Sequence, residues 1–464
     1  MRDGNGRRIG TGTRIPALAI LILLACVPAD GLAQAAETKD PSPTAAIGDL
    51  ASPDRKVHRA AARKLEANWH PGFAPMLVEI LMLIPPGDAR GNNVLKLLRK
   101  GTGQNLPADT DRWWRWIWSR EEQEHPEYAT FKATIYSFRD KRFARYFVPG
   151  TPRTIRLDEV VWGGVKKDGI PPLEYPKMIP AAEADYLKNN HIVFGVYLNG
   201  EAKAYPKRIL AWHELFNDRV GGIDVTCAYC TLCGAAVLYD QKVGDQQFSF
   251  GTSGFLYRSN KLMYDRQTNT LWSALEGVPV MGSLVGSELQ LKRLPIVTTR
   301  WKEWRRRHPE TKVLSLDTGH RRDYGEGVAY REYFATDRLM FPTPFQDKRL
   351  KNKQQVLAML MDGEAVAWDT RFLRKRRVHQ DRVAGQELVI LTDKSGANRV
   401  YDATGVTFTK WDRDSRVRDK SGRQWEATET ALLGPDGEKL IRLAAHRAFW
   451  FGWRAQFPNT RLVK

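Results

Sequence analysis

Apolar positions along this chain change their period near residue 150. Between about 45 and 148 they recur every three or four residues, as on helices buried along one stripe. Beyond 153 they alternate or gather in short runs broken by glycine, as in strands. In ASPDRKVHRAAARKLEANW, Ser52 is placed to cap a helix, Pro53 fits its first position, and Val57, Ala61 and Leu65 share a face. Residues 73–84 and 92–100 predict further helices, separated by PPGDARG. DRWWRWIWSREEQEHPEY places Trp113, Trp114, Trp116 and Trp118 as two pairs around another helix, where core packing outweighs the alternative of stacking on sugar rings. This region predicts a small helical domain with a first helix similar to a HEAT-type repeat, an architecture that usually binds partners.

The β-rich part opens with HIVFGVYLNGEAKAYP, a hairpin turning at Asn199-Gly200. KRILAWHELFND follows as a short helix, then GGIDVTCAY, AAVLYD and QQFSFG as strands. The pattern then repeats. LKNNHIVFGVYLNGEAKAYPKRIL, from Leu187, aligns without a gap on LKNKQQVLAMLMDGEAVAWDTRFL, from Leu350. QLKRLPIVTTRWKEWRRRHPET, from Gln290, aligns on KLIRLAAHRAFWFGWRAQFPNT, from Lys439, with Trp301 and Trp304 on Trp450 and Trp453. The expected fold class is therefore α+β: a duplicated, mainly-β module of two related copies, the second degenerate, preceded by a small all-α domain. The expected segments are 1–35 (export signal), 36–44 (linker), 45–148 (helical), 153–316 (first copy), 317–345 (connector) and 346–464 (second copy). Two such halves commonly pack about a pseudo-two-fold axis, with a site near their junction.

Arg2, Arg7, Arg8 and Arg14 precede an apolar run from Ile15 to Ala25, too short to span a bilayer as a mature helix. Two exits are open: cleavage after Ala33-Gln34-Ala35, the cleaner match, or lipidation of Cys26 after Leu23-Leu24-Ala25. Either predicts an exported, periplasmic or extracytoplasmic protein with no transmembrane segment in the mature chain. The formal net charge is +19, mostly a solvated basic face, and an anionic envelope surface is a candidate partner. A protein partner is expected through the helical domain. No nucleic-acid-binding module is recognisable.

Export changes the reading of cysteine, because an oxidising compartment permits a bridge. Three of the four cysteines, Cys227, Cys230 and Cys233, fall in VTCAYCTLCGAAVLYD. The second copy has Asp393 and Gly396 in place of Cys230 and Cys233 and no counterpart of Trp212-His213-Glu214. The unit evidently folds without them, which points to a task performed once per chain.

Several separated blocks carry a family resemblance: WGGVKKDGIPPLEYPKMIPAAEADYL, VFGVYLNGEAKAYPKRILAWHELFND, YCTLCGAAVLYD, FGTSGFLYRSNKLMYDRQTNTLWSALEG, VLSLDTGHRRDYG and AFWFGWRAQFP. Across most of 155–464 the chain resembles domain-of-unknown-function family 3179. The resemblance implies a site rather than a reaction. It marks Cys230 and Cys233 as the family pair, with His213, Glu214 and Asp218 in the helix before them, and Cys227 as an addition.

Three states are open for the pair. It can be a structural or redox disulfide, a pair of metal ligands, or two buried thiols. A metal site would combine both thiolates with His213 and either Cys227 or a carboxylate such as Asp265, a set that suits zinc or copper. The pair lies between strands rather than opening a helix, unlike a thioredoxin-type motif. Asp265 and Arg266 in LMYDRQTNTLW can form an ion pair that holds a hairpin, or contact a ligand. Glu214, Arg266, Arg321 and Arg322 are candidate ligand contacts, the two arginines of HRRDYGEG for an anion. GTSGF is not a G-x-S-x-G elbow, and no acid–base pair marks a hydrolase. The leading reading is a Cys/His-centred metal or thiol-redox site in the first copy. The competing one is a non-catalytic binding or scaffold protein braced by a disulfide.

Overall fold

The structure, a computed structural model, describes residues 42–464 except Pro86 and Phe345. The expected export signal, both of its candidate exits and the expected linker up to residue 41 lie outside the described residues. Among the described residues no helix is long and apolar enough to cross a membrane.

Six helices come first: α1 (Pro43–Asp49), α2 (Arg55–Ala67), α3 (Phe73–Leu83), α4 (Ala89–Thr102), α5 (Thr110–Trp118) and α6 (Tyr128–Ser137). The cap of α2 falls two residues later than expected. Asp54 accepts from the Lys56 amide at 2.7 Å, since a short carboxylate reaches the free N–H groups of a first turn. Its inward stripe is His58, Ala61 and Leu65, and Val57 is exposed. His58 tolerates burial because its Nδ1 bonds the Leu50 carbonyl at 2.7 Å. In α5, Trp114 stacks on Trp118 and Trp113 meets Trp116 edge-on, as two pairs. The helices do not close their own core. Tyr136, Phe143 and Phe147 surround Phe255, on a five-stranded sheet of Val160–Trp162, Phe250–Tyr257, Asn260–Asp265, Leu271–Ser273 and Pro279–Met281.

The duplication is legible in the strand pairing. In the first copy Ile192–Leu198 lies between Val297–Arg300 and Glu201–Pro206, and Glu201–Pro206 pairs in parallel with Lys312–Leu314. In the second copy Gln355–Met361, His446–Phe449, Glu364–Asp369 and Arg461–Val463 repeat that arrangement. Helices follow at matching places: α7 (Lys207–His213) and α8 (Trp301–Arg307) in the first copy, α10 (Thr370–Arg376) and α11 (Trp450–Gln456) in the second, with α9 (Arg331–Ala335) between the copies. Individual contacts repeat as well. The indole of Trp304 donates to Thr311 at 2.9 Å, that of Trp453 to Thr460 at 2.8 Å. Asp218 accepts from Tyr205 at 2.6 Å, Asp381 from Trp368 at 2.6 Å. Both hairpins turn through a left-handed pair, Asn199-Gly200 (φ 44° and 87°) and Asp362-Gly363 (φ 44° and 81°), as a two-residue turn between twisted strands requires.

The copies grip each other reciprocally. The first copy's turn at Cys233 accepts the Phe449 amide at 2.6 Å, and the second copy's turn brings Ser395 to Thr299 and Ala397 into the cluster of Trp301 and Trp304. One element differs from expectation. KRILAWHELFND is helical only to His213; Glu214 turns left-handed (φ 57°) and Leu215–Val220 is a strand. Asp218 therefore lies on a strand; its bonds from the aromatic side chain and the following amide repeat in the second copy and hold the repeated unit together, while its ion pair with Lys203 at 3.0 Å belongs to the first copy.

Candidate functional site

The cysteine pair sits in a tight turn. Ile223–Cys230 and Ala235–Asp240 pair up to Cys230 opposite Ala235, which leaves Thr231 to Gly234 to reverse the chain. Gly234 has φ 59°, and a Cβ there would stand 3.0 Å from the Phe449 ring, so glycine meets both demands. A disulfide joins Cys230 and Cys233, whose Cα atoms are 5.3 Å apart. Both are buried, and the Tyr333 hydroxyl donates to the carbonyl of Leu232 between them at 2.8 Å. The turn is thus clasped by the second copy through Phe449 and by the connector through Tyr333, where the two copies meet.

Cys227 does not join them. It lies three positions before Cys230 on one strand, and alternation points the two side chains to opposite faces. Cys230 and Cys233 belong to the core shared with Trp450 and Trp453, Cys227 to that of Tyr205 and Phe216. Burial raises the pKa of the unbridged Cys227 thiol, which keeps it protonated.

Glu214 ends α7 and faces inward. Its carboxylate meets Lys261 Nζ at 2.8 Å and accepts the Tyr330 hydroxyl at 2.9 Å, and Lys261 also donates to the Glu214 carbonyl at 3.0 Å. Both charged side chains are buried. Burial pulls the Lys261 ammonium down from its ordinary pKa, while the Glu214 carboxylate pulls it up. These bonds give the buried Glu214 its partners; Arg377, at the matching place of the second copy, turns left-handed as well (φ 65°), so the end of the helix belongs to the repeated unit.

His213 closes a proton chain of fixed sense. Its Nδ1 lies 2.8 Å from the Pro171 carbonyl, which only accepts, so Nδ1 carries the proton. Its Nε2, 2.6 Å from the Tyr324 hydroxyl, then accepts from it, and that hydroxyl accepts in turn from Thr318 Oγ1 at 2.6 Å. Around this chain, Trp212 donates to the Asp323 carbonyl at 2.7 Å and Arg208 to the Tyr324 carbonyl. Trp212 and His213, which lack counterparts in the second copy, thus help to hold the connector, itself present once per chain. Where the connector passes over α7, Arg208, His320, Arg321 and Arg322 line an open recess beside Tyr324. Arg321 and Arg322 are exposed, and among the described residues neither pairs with a carboxylate.

Desolvation holds the His213 pKa down at about 4, below the unfolded value of about 6.5. The neutral ring favours the folded state, so its contribution is complete above pH 6.5 and is lost as pH falls toward 4. Urea unfolding at pH 7 and pH 5 is expected to show a loss of about 1–2 kcal/mol from this group. His213→Asn keeps a donor for Pro171 and should reduce that slope, leaving the parts owed to His446, held at about 3 by burial, and to His125 and His191, which burial also lowers.

Asp265 and Arg266 do not pair with each other. Asp265 is fully buried, and its carboxylate accepts from the Thr268 amide at 2.5 Å and the Trp272 indole at 2.9 Å, bracketing the turn after its strand. Arg266 meets Glu174 at the surface at 2.5 Å. The expected metal set is therefore dispersed: two sulfurs in a bridge, Cys227 across the strand, His213 on the connector, Asp265 in its own turn. Among the described residues no three His, Cys, Asp or Glu side chains gather to hold a metal ion. The residues this region needs and the motif reading missed are Lys261, Tyr324, Tyr330 and Tyr333. Three lie in the connector, and the legible signal for Lys261 was a lone cation within an apolar alternating strand.

The family model described as "protein of unknown function (DUF3179)" matches residues 167–460, and the chain belongs to that family. No curated protein and no solved structure matches the chain.

Proposed function

We propose that this member of the DUF3179 family is an exported, non-catalytic binding protein of the cell envelope. The disulfide braces its first copy, and the connector docked on that copy presents a site for a small carboxylate or phosphate ligand. One observation carries the reading: His213, Trp212, Glu214 and the Leu232 carbonyl in the bridged turn all bond the connector, which then turns Arg321, Arg322 and His320 toward a recess where, among the described residues, no carboxylate pairs with either arginine, although Asp323 also lines it. Guanidinium groups suit both anion classes because their forked donors match two oxygens at once. The second copy supports a structural role for the bridge. At Cys230's place Asp393 accepts from the amides of Ser395 and Ala397, each at 2.9 Å, and so closes the same turn without sulfur. Export rests on the arginine-led apolar run and the Ala-Gln-Ala site, and recruitment of a protein partner on the HEAT-like character of the helical region.

The test combines thermal-shift titration with citrate and inorganic phosphate and a paired cysteine variant. Wild type is expected to gain stability with one of these anions, and R321A/R322A to lose the response. C230S/C233S is expected to lose about 2 kcal/mol, the loop-entropy contribution of so short a bridge, and to keep the response. A folded cysteine variant that loses the response, or a bridge that a dithiol reduces and reoxidises within the native protein, would replace this reading with the redox one.

A further inference from the structure

The four tryptophans of α5 do not share one role. Trp113, Trp114 and Trp118 are core, and each indole N–H has a partner: the Pro107 carbonyl at 3.0 Å, Met82 Sδ at 3.3 Å and the Asp158 carbonyl at 3.4 Å. Trp116 is half-buried, and its indole N–H has no partner among the described residues. With Trp69 it lines a recess of about 250 Å³ where the helices meet the segment around Arg156 and Asp158. Trp69 is also half-buried, and its indole N–H has no partner among the described residues. Its ring is fixed edge-on to Phe73 at 6.0 Å, and α4 lies so close behind that a Cβ on Gly101 would stand 2.3 Å from it.

The polar lining narrows the ligand. Arg156 is closed onto Asp158 by bonds of 3.0 and 2.7 Å, and Arg120 lies over the Trp116 ring at 5.1 Å. Glu121 and Gln123, both exposed, form no side-chain hydrogen bond among the described residues and stand at the rim. Two arginines are thus matched by two carboxylates in a protein whose net charge is +19. The recess does not select an anion. It offers aromatic surface, two indole donors, an amide and a carboxylate, which are the groups that hold the C–H face and the hydroxyls of a sugar ring. Its volume is below the ~300–1,000 Å³ of pockets for drug-sized molecules, so it fits one ring rather than a folded chain.

We propose that the recess between Trp69 and Trp116 is a carbohydrate-binding site that takes one neutral pyranose unit of a glycan. It is separate from the connector recess and does not depend on an anion being bound there.

Tryptophan fluorescence and calorimetric titration of the full chain with maltotetraose, cellotetraose and chitotetraose test this. Saturable binding of at least one of them is expected. Trp116→Leu and Trp69→Leu should each weaken it about tenfold or more. Because a half-buried tryptophan also supports packing, E121A/Q123A at the exposed rim is the companion variant. It should weaken binding severalfold with an unchanged melting temperature. No binding of any of the three sugars, or binding that all of these variants leave intact, overturns the proposal. Neither result bears on the anion response, which R321A/R322A reads independently.

Discussion

Arg399→Met is expected to lower the stability of this protein by about 3–5 kcal/mol, read as a fall in the urea midpoint of the second copy. Arg399 is among the largest fully buried side chains. Its guanidinium meets Asp393 at 2.9 Å and Glu429 at 2.8 and 2.6 Å, and Arg442 also pairs with Glu429. The two carboxylates have no water to turn to, so removing the cation between them leaves charge buried and partly unpaired. The cationic neighbours hold Glu429 well below its ordinary pKa despite burial. Arg399→Lys should recover only part of the loss, because a single ammonium cannot bridge two carboxylates as a fork does. D393N/R399M removes the charge at both ends of one contact. It should cost less than the two single losses summed, and strict additivity would show that the pair is not coupled.

Lys261→Met is the second large effect, again about 3–5 kcal/mol, with a consequence at the candidate site. The Glu214 carboxylate would keep only the Tyr330 hydroxyl as a partner, in a region closed to solvent. Neutralising it in E214Q/K261M should recover much of the stability. The same carboxylate ties the connector to the end of α7, so K261M is expected to make residues 317–335 more sensitive to limited trypsin digestion, at Arg321, Arg322 and Arg331. Cleavage unchanged in K261M would mean that the Tyr333, Trp212, His213 and Arg208 contacts suffice to hold the connector.

The bridged turn makes plain how each copy meets one mechanical need. A chain reversing in four or five residues between long strands must satisfy its own amides and resist opening. The first copy uses a disulfide; the second uses the Asp393 carboxylate, itself held by Arg399. Sequence alignment put Asp393 opposite Cys230, but only the hydrogen bonds give that substitution a physical meaning.

Hydrophobic periodicity was enough to read the helical start, the hairpins and the duplication, because those features depend on residues near one another in the chain. A two-residue turn needs left-handed conformers, and Asn199-Gly200 and Asp362-Gly363 announce it locally. A buried stripe must recur at the helical period, with His58 in place of Val57 as the one reassignment. The cysteine spacing was equally sufficient for two sulfurs meeting in a turn near the junction. Strand parity, also local, could have separated Cys227 from that pair. Tertiary structure decided the rest. It gave the buried Glu214 its partners, Lys261 and Tyr330, from distant segments. It placed Asp265 in its own turn and His213 against Tyr324, and so dispersed a metal set that was compatible in composition. It also separated Trp116 from three tryptophans of the same helix. Burial and partnership between remote segments depend on how the chain returns to itself, and neither composition nor spacing carries that information.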